Sequence, residues 1–112
     1  MIQLFFLKRN FDVQKAERYF KERRQTIQYV DLTKSPLGLR VMESVAREVG
    51  LDALLDKSTN AYKECPVRFS NNPQLLLEHA AKDPRMLNLP IVRNGQRATV
   101  GYQPEAWEIW IT

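Results

Sequence analysis

Cysteine and histidine are almost missing from this chain, which holds one of each, Cys65 and His79, in 112 residues. A single cysteine cannot close an internal disulfide, and with one histidine there is no Cys/His cluster of metal-ligand spacing, so no metal is expected. Long apolar runs are missing as well: nothing approaches the roughly 18 residues that a membrane span needs. The first residues lack a basic flank, an extended apolar region and a small-residue cleavage site, so no secretory leader is expected and the cytoplasm is the default location. Internal repeats, low-complexity tracts and linkers are also absent. What is present is ordinary for a globular protein, 44% hydrophobic and 27% charged residues, and the length suits one domain, 1–112, with one core.

The net charge of +4 is concentrated. Residues 8–24 carry seven basic and three acidic side chains, and the rest of the chain balances at ten of each. A basic first helix is what nucleic acid or another acidic surface would meet. No aromatic stacking motif or groove-reading helix accompanies it, so a solvated helix face is the expectation and nucleic acid is not an expected partner.

The apolar run from Ile2 to Leu7 reads as a short buried strand. Asp12 then opens a helix in which Val13, Ala16, Tyr19 and Phe20 recur at helical spacing, ending near Arg24. Thr26 to Leu32 reads as a second strand, parallel to the first, which completes a strand-helix-strand unit. Ser35-Pro36 marks the expected start of the next helix, with Leu39, Val41, Met42, Val45 and Val49 on its apolar face and Gly50 at its end. Short helices follow at Leu51–Asp56 and Ser58–Glu64, broken by Pro66. After the polar loop Ser70-Asn71-Asn72-Pro73 comes a helix whose Leu75, Leu76, Leu77 and Ala80 are expected to face inward until Pro84. Pro90-Ile91-Val92 and Ala98 to Tyr102 form a hairpin, with Asn94-Gly95 expected to take the two positive φ angles of a type I′ turn. A last helix starts at Gln103-Pro104-Glu105 and presents Trp107 and Ile111 to the sheet, with Trp110 at its rim. The order implies an α/β chain: a mixed sheet of about four strands flanked by helices, with a helical insertion at about 36–84 between the β-α-β unit and the C-terminal hairpin-helix.

A strand that feeds a helix is where such sheets build sites, because N–H groups at a helix N-terminus stabilise negative charge and lower a thiol pKa. Here that junction is Lys8-Arg9-Asn10-Phe11-Asp12, and it contains no cysteine.

Several segments in order, Ile2-Gln3-Leu4-Phe5-Phe6, Phe11 to Phe20, Ala61-Tyr62-Lys63-Glu64, Leu89 to Gly95 and Val100 to Glu105 with Trp107, resemble the ArsC family. This family of thioredoxin-fold proteins includes glutathione- or glutaredoxin-coupled arsenate reductases and Spx-like transcription regulators. The resemblance covers nearly the whole chain and implies a thioredoxin-like (glutaredoxin-like) fold with a cis peptide at Leu89-Pro90. It also implies where the chemistry would lie. At the family's nucleophilic cysteine this sequence has Asn10. At its oxyanion-holding arginines it has Asp56 after the paired leucines, Leu89 before the proline and Gln103 before the last helix. An amide cannot attack arsenate or a disulfide, and Asp56 would repel the anion that an arginine attracts. Lys8 and Arg9 keep the turn electropositive, although a solvent-facing basic turn is the simpler reading.

Cys65, between Glu64 and Pro66, is expected to be a packed residue, and His79 a helix residue at the surface or core edge. Glu78 and Asp83 do not share a helix face cleanly and form no carboxylate pair, while Trp107 and Trp110 read as core and rim aromatics. The expectation is therefore a binding or regulatory module without catalytic residues, in which Asn10, Leu89, Pro90 and Gln103 surround a groove for a peptide or protein partner. The alternative is a glutathione-linked oxidoreductase with altered chemistry. No cofactor is expected, with glutathione the one ligand the resemblance would allow; no membrane association is expected, and the chain should be a monomer.

Overall fold

The computed structural model describes residues 1–111. Four strands, β1 (Ile2–Phe6), β2 (Ile27–Asp31), β3 (Ile91–Asn94) and β4 (Arg97–Val100), form one sheet in the order β2-β1-β3-β4. β1 and β2 run parallel, joined by helix α1 (Phe11–Glu22), whereas β3 pairs antiparallel with both β1 and β4. Apart from Gln3, β1 is apolar rather than alternating because both faces of this central strand are covered. Ile2 and Leu4 pack with Val92 against Val13, Ala16, Tyr19 and Phe20 of α1 and Trp107 of the last helix, α6 (Pro104–Ile111). Phe5, Ile91 and Ala98 face the other way.

That second face is covered by the insertion: α2 (Leu39–Val49), the short α3 (Leu51–Leu54) and α4 (Asn60–Lys63), and α5 (Pro73–Lys82), followed by a 3₁₀ turn at Pro84–Met86. Met42, Val45, Leu54, Leu77, Ala80 and Met86 supply its core, and Cys65, 1% exposed, belongs to it as a packed thiol. Trp110 and Ile111 are partly buried against the α1 side.

Three local expectations are corrected. The hairpin loop is Gly95-Gln96, since Asn94 is paired with Arg97. Gly95 alone takes a positive φ, +64°, as in a Gly-X type II′ turn rather than a type I′ turn. Asn94 is also paired with Ile2 of β1, which holds it extended. The second helix begins at Leu39 with Gly38 before it, not at Ser35-Pro36. The Asp31 carboxylate accepts bonds from the N–H and hydroxyl of Thr33, at 2.9 and 2.7 Å, and its carbonyl accepts from Lys34 and Ser35 N–H. This tight turn consumes the residues before Pro36, and the residue preceding a proline disfavours the helical region in any case. Leu75 does not pack inward but is 40% exposed, because Leu76, Leu77 and Ala80 define the buried face of α5 and Leu75 falls to one side of it.

Candidate functional site

The junction between β1 and α1 is built around Asn10. Its carboxamide oxygen accepts the Val13 N–H at 2.8 Å, its carbonyl accepts the Gln14 N–H at 3.1 Å and its own N–H donates to the Lys8 carbonyl at 2.9 Å. Asn10 is therefore the N-cap of α1, and the helix starts at Phe11, one residue before the expected opening at Asp12. The Asn10 side chain spends its acceptor on the Val13 N–H, one of the helix N-terminal groups that can stabilise a negative charge.

Beside Asn10 lies a cleft of about 550 Å³. Lys8, Asp12, Asp56, Arg85 and Leu89 are among the residues lining it, so three of the four positions that the resemblance implies, Asn10, Asp56 and Leu89, meet there. Pro90, fully buried, and Gln103 do not line it. Gln103 instead heads α6, its carbonyl accepting the Trp107 N–H at 3.2 Å and its amide donating to the Val100 carbonyl at 3.3 Å. The Leu89–Pro90 peptide is cis.

Most polar groups around the cleft are bonded to the chain itself. Asp56 accepts from the Ser58 N–H at 3.0 Å and the Ser58 hydroxyl at 2.5 Å. Arg85 and Asp83 form a two-pronged ion pair, with both contacts at 2.8 Å. That pair holds the Asp83 carboxyl below its usual range and raises Arg85. Asn88 donates its amide to the carbonyls of Ala53, at 2.6 Å, and Leu55, at 3.4 Å. Among the described residues, Lys8, Asp12 and Asn60 of the lining make no side-chain hydrogen bond or ion pair. The two cations at the cleft, Lys8 and Arg85, face two carboxylates, Asp12 and Asp56, so the lining charges balance and nothing selects an oxyanion. Asn60, Arg85 and Asn88 were not singled out in the sequence. Only the Asp83-Pro84-Arg85 spacing, which places the carboxylate and guanidinium on one turn, offered a signal.

Arg9 does not join the electropositive turn. Its guanidinium meets Glu17 Oε2 at 2.8 Å and lies over the rings of Phe6 and Tyr29, 5.6 and 5.5 Å from their centroids. The Tyr29 hydroxyl donates to the same oxygen at 2.6 Å. The Tyr29 bond and then Arg9 hold Glu17 below the usual carboxylate range, while burial and then Glu17 push Tyr29 up to about 12. Stability from the depressed carboxylate is present at neutral pH and lost as pH falls through the folded-state pKa. The part from the raised phenol is present below its ordinary value of about 10 and lost toward 12. Tyr29→Phe should lower the urea-unfolding free energy by under about 1 kcal/mol at pH 7 after solvent screening. The gap from the native protein should shrink at both pH extremes.

Cys65 is sealed in the core, and His79 is a partly buried α5 residue whose carbonyl accepts the Asp83 N–H at 2.9 Å. Neither lines the cleft. Among the described residues no group of His, Cys, Asp and Glu could hold a metal ion, and no helix is long and apolar enough to cross a membrane.

Against this geometry, the family model described as the ArsC family matches residues 6–110. The chain belongs to the ArsC family. Among curated relatives, the global transcriptional regulator Spx 2 of Oceanobacillus iheyensis is 27% identical over 94 residues, covering 81% of this chain and 70% of the relative. Among solved structures, the protein YFFB superposes with a TM-score of 0.85 at 17% identity, with both chains covered in full. An arsenate reductase from Vibrio cholerae superposes with a TM-score of 0.81 at 16% identity, covering 94% of this chain and 92% of its own. These likenesses establish the thioredoxin-like ArsC fold, into which the four-stranded mixed sheet and its helical insertion fit. In this ArsC-family chain the junction after β1 is closed by a capping amide and its cleft is charge-balanced.

Proposed function

We propose that this ArsC-family chain has lost arsenate reduction and acts as a thiol-independent binding module, receiving an extended peptide or protein segment in the cleft between Asn10 and Leu89. The observation that carries the reading is the Asn10 cap: the side chain at the junction accepts the Val13 N–H and has no group to ionise or attack. Cys65 cannot substitute, being buried in the insertion core. The Leu89 N–H and C=O make no hydrogen bond among the described residues and stand at the cleft, a backbone donor and acceptor with which an extended chain can pair. Phe11, 79% exposed beside Asn10, offers that chain an apolar contact. The transcriptional-regulator description of the curated relative accords with a regulatory use of the same scaffold.

In glutathione- and glutaredoxin-linked assays the native chain should reduce arsenate and disulfides no faster than the protein-free reaction. Activity that disappears in Cys65→Ser would overturn the reading. Peptides selected on the native chain from a random display library should lose affinity about tenfold or more on Ala61→Tyr, which narrows the cleft, and on Leu89→Pro, which removes the N–H. Selected peptides that bind both variants unchanged would place the binding surface elsewhere.

A further inference from the structure

Charge is balanced over residues outside the first helix, yet the fold gathers part of it into a second, cationic cleft of about 380 Å³ on the opposite flank of the sheet. Ser44, Arg47 and Glu48 project from one face of α2 at i, i+3, i+4 spacing, and Arg93 of β3, Gln96 of the hairpin loop and Arg97 of β4 complete the lining. Arg93 occupies a sheet position that faces the insertion, two residues after the buried Ile91. Its cross-strand neighbours on that face are Gln3 and Ala98, both uncharged, and the Gln3 amide is bonded to Gln28 at 3.2 Å.

A half-buried guanidinium normally has a carboxylate, because a desolvated cation without one is costly. Here the one carboxylate of the lining, Glu48, is bonded to Arg97 at 2.6 Å. Glu43, one turn earlier on α2, accepts from the Gln74 amide at 3.3 Å. Arg93 and Arg47 form no ion pair among the described residues. Arg93 Nε is shielded from solvent with no acceptor in reach. Three guanidinium groups against one carboxylate leave two positive charges, a buried N–H without a partner, and hydroxyl and amide donors from Ser44 and Gln96. Guanidinium forks match tetrahedral oxyanions through paired hydrogen bonds, and two unneutralised cations match a dianion.

We propose that Arg47, Arg93 and Arg97 form a binding site for a phosphate dianion, either free or as a phosphomonoester. The site lies across the sheet from α1 and is independent of the cleft at Asn10. Isothermal titration calorimetry with inorganic phosphate and with phenyl phosphate, at constant ionic strength and about pH 8 where both are mainly dianionic, tests it. Saturable binding at one site per chain is expected for at least one of the two, and whichever binds more tightly identifies the source of the anion. Arg93→Gln and Arg47→Gln should each weaken it about tenfold, with Arg93→Lys between them and the native chain. Arg18→Gln, which removes the same charge from exposed α1, should bind as the native chain does. Absence of saturation with both anions, or equal weakening by Arg18→Gln, would overturn the proposal. If the Arg93 variants unfold, the exposed Arg47 position carries the same test.

Discussion

Asn10→Cys should convert a folded chain with no accessible thiol into one with a single reactive thiol. In the native protein the thiol of Cys65 is buried, so a thiol reagent should find no site until the chain is unfolded. The new cysteine would stand where Asn10 now accepts the Val13 N–H, with the first N–H groups of α1 directed at it. Such a position lowers a thiol pKa below its usual value of about 8.5, with Asp12 nearby opposing part of the shift. Loss of the capping amide costs about 0.5–2 kcal/mol of stability, so a modest fall in unfolding midpoint should accompany the gain in reactivity. Alkylation rate against pH reads the thiolate directly. Arsenate turnover is not expected to appear with it, because Asp56, Leu89 and Gln103 supply no guanidinium to hold the oxyanion. Turnover by the single variant would show that a guanidinium at Asp56, Leu89 or Gln103 is dispensable and would leave Asn10 alone to account for the lost chemistry.

The largest effect on stability is expected from Trp107→Ala. Trp107 is fully buried between α1 and the sheet, with its ring 5.0 Å from Phe20, 5.4 Å from Tyr19 and 5.6 Å from Tyr102. Its indole N–H donates to the Thr99 hydroxyl at 2.8 Å. Truncation removes the largest side chain of that core and leaves a buried hydroxyl without its partner, a loss of about 3–5 kcal/mol against a typical total of about 5–15. Thr99→Val separates the two contributions, since it keeps the packing and orphans only the indole N–H, for about 1–3 kcal/mol. Urea unfolding followed by circular dichroism measures both, and Trp110 remains as a fluorescence reporter. A Trp107→Ala loss no larger than that of Thr99→Val would mean that the aromatic cluster contributes little.

The elements whose apolar residues recur at one period were legible in the sequence. β1, α1 and α6 lie close to where Ile2–Leu7, Val13–Phe20 and Trp107–Ile111 place them. Misplacements arose where a tertiary partner or a competing local turn overrode the signal that was read. Asn94 is extended because β1 pairs with it, and the start of α2 moved because the side chain of Asp31 had already folded the residues ahead of it. At the cleft the resemblance pointed to a few positions, Asn10, Asp56 and Leu89, but not to the hydrogen bonds around them. Asn88 and Ala53 are 35 positions apart, and nothing in one sequence reveals that they bond. The convergence of Arg47, Arg93 and Arg97 was equally hidden, since their separation in the chain makes a concentrated charge look evenly spread.

The segment before β3 is tied to the end of α3 at several points. The Asp56 N–H donates to the Met86 carbonyl and the Asn88 N–H to the Leu54 carbonyl, both at 2.8 Å, with Leu55 and Leu87 bridged between them. These ties span one wall of the Asn10 cleft, so that wall cannot swing outward without breaking main-chain hydrogen bonds in a buried setting. Its width is a property of the fold rather than of the occupant. A partner would enter a gap already set to size, with its affinity governed by shape and by the order the partner itself gives up.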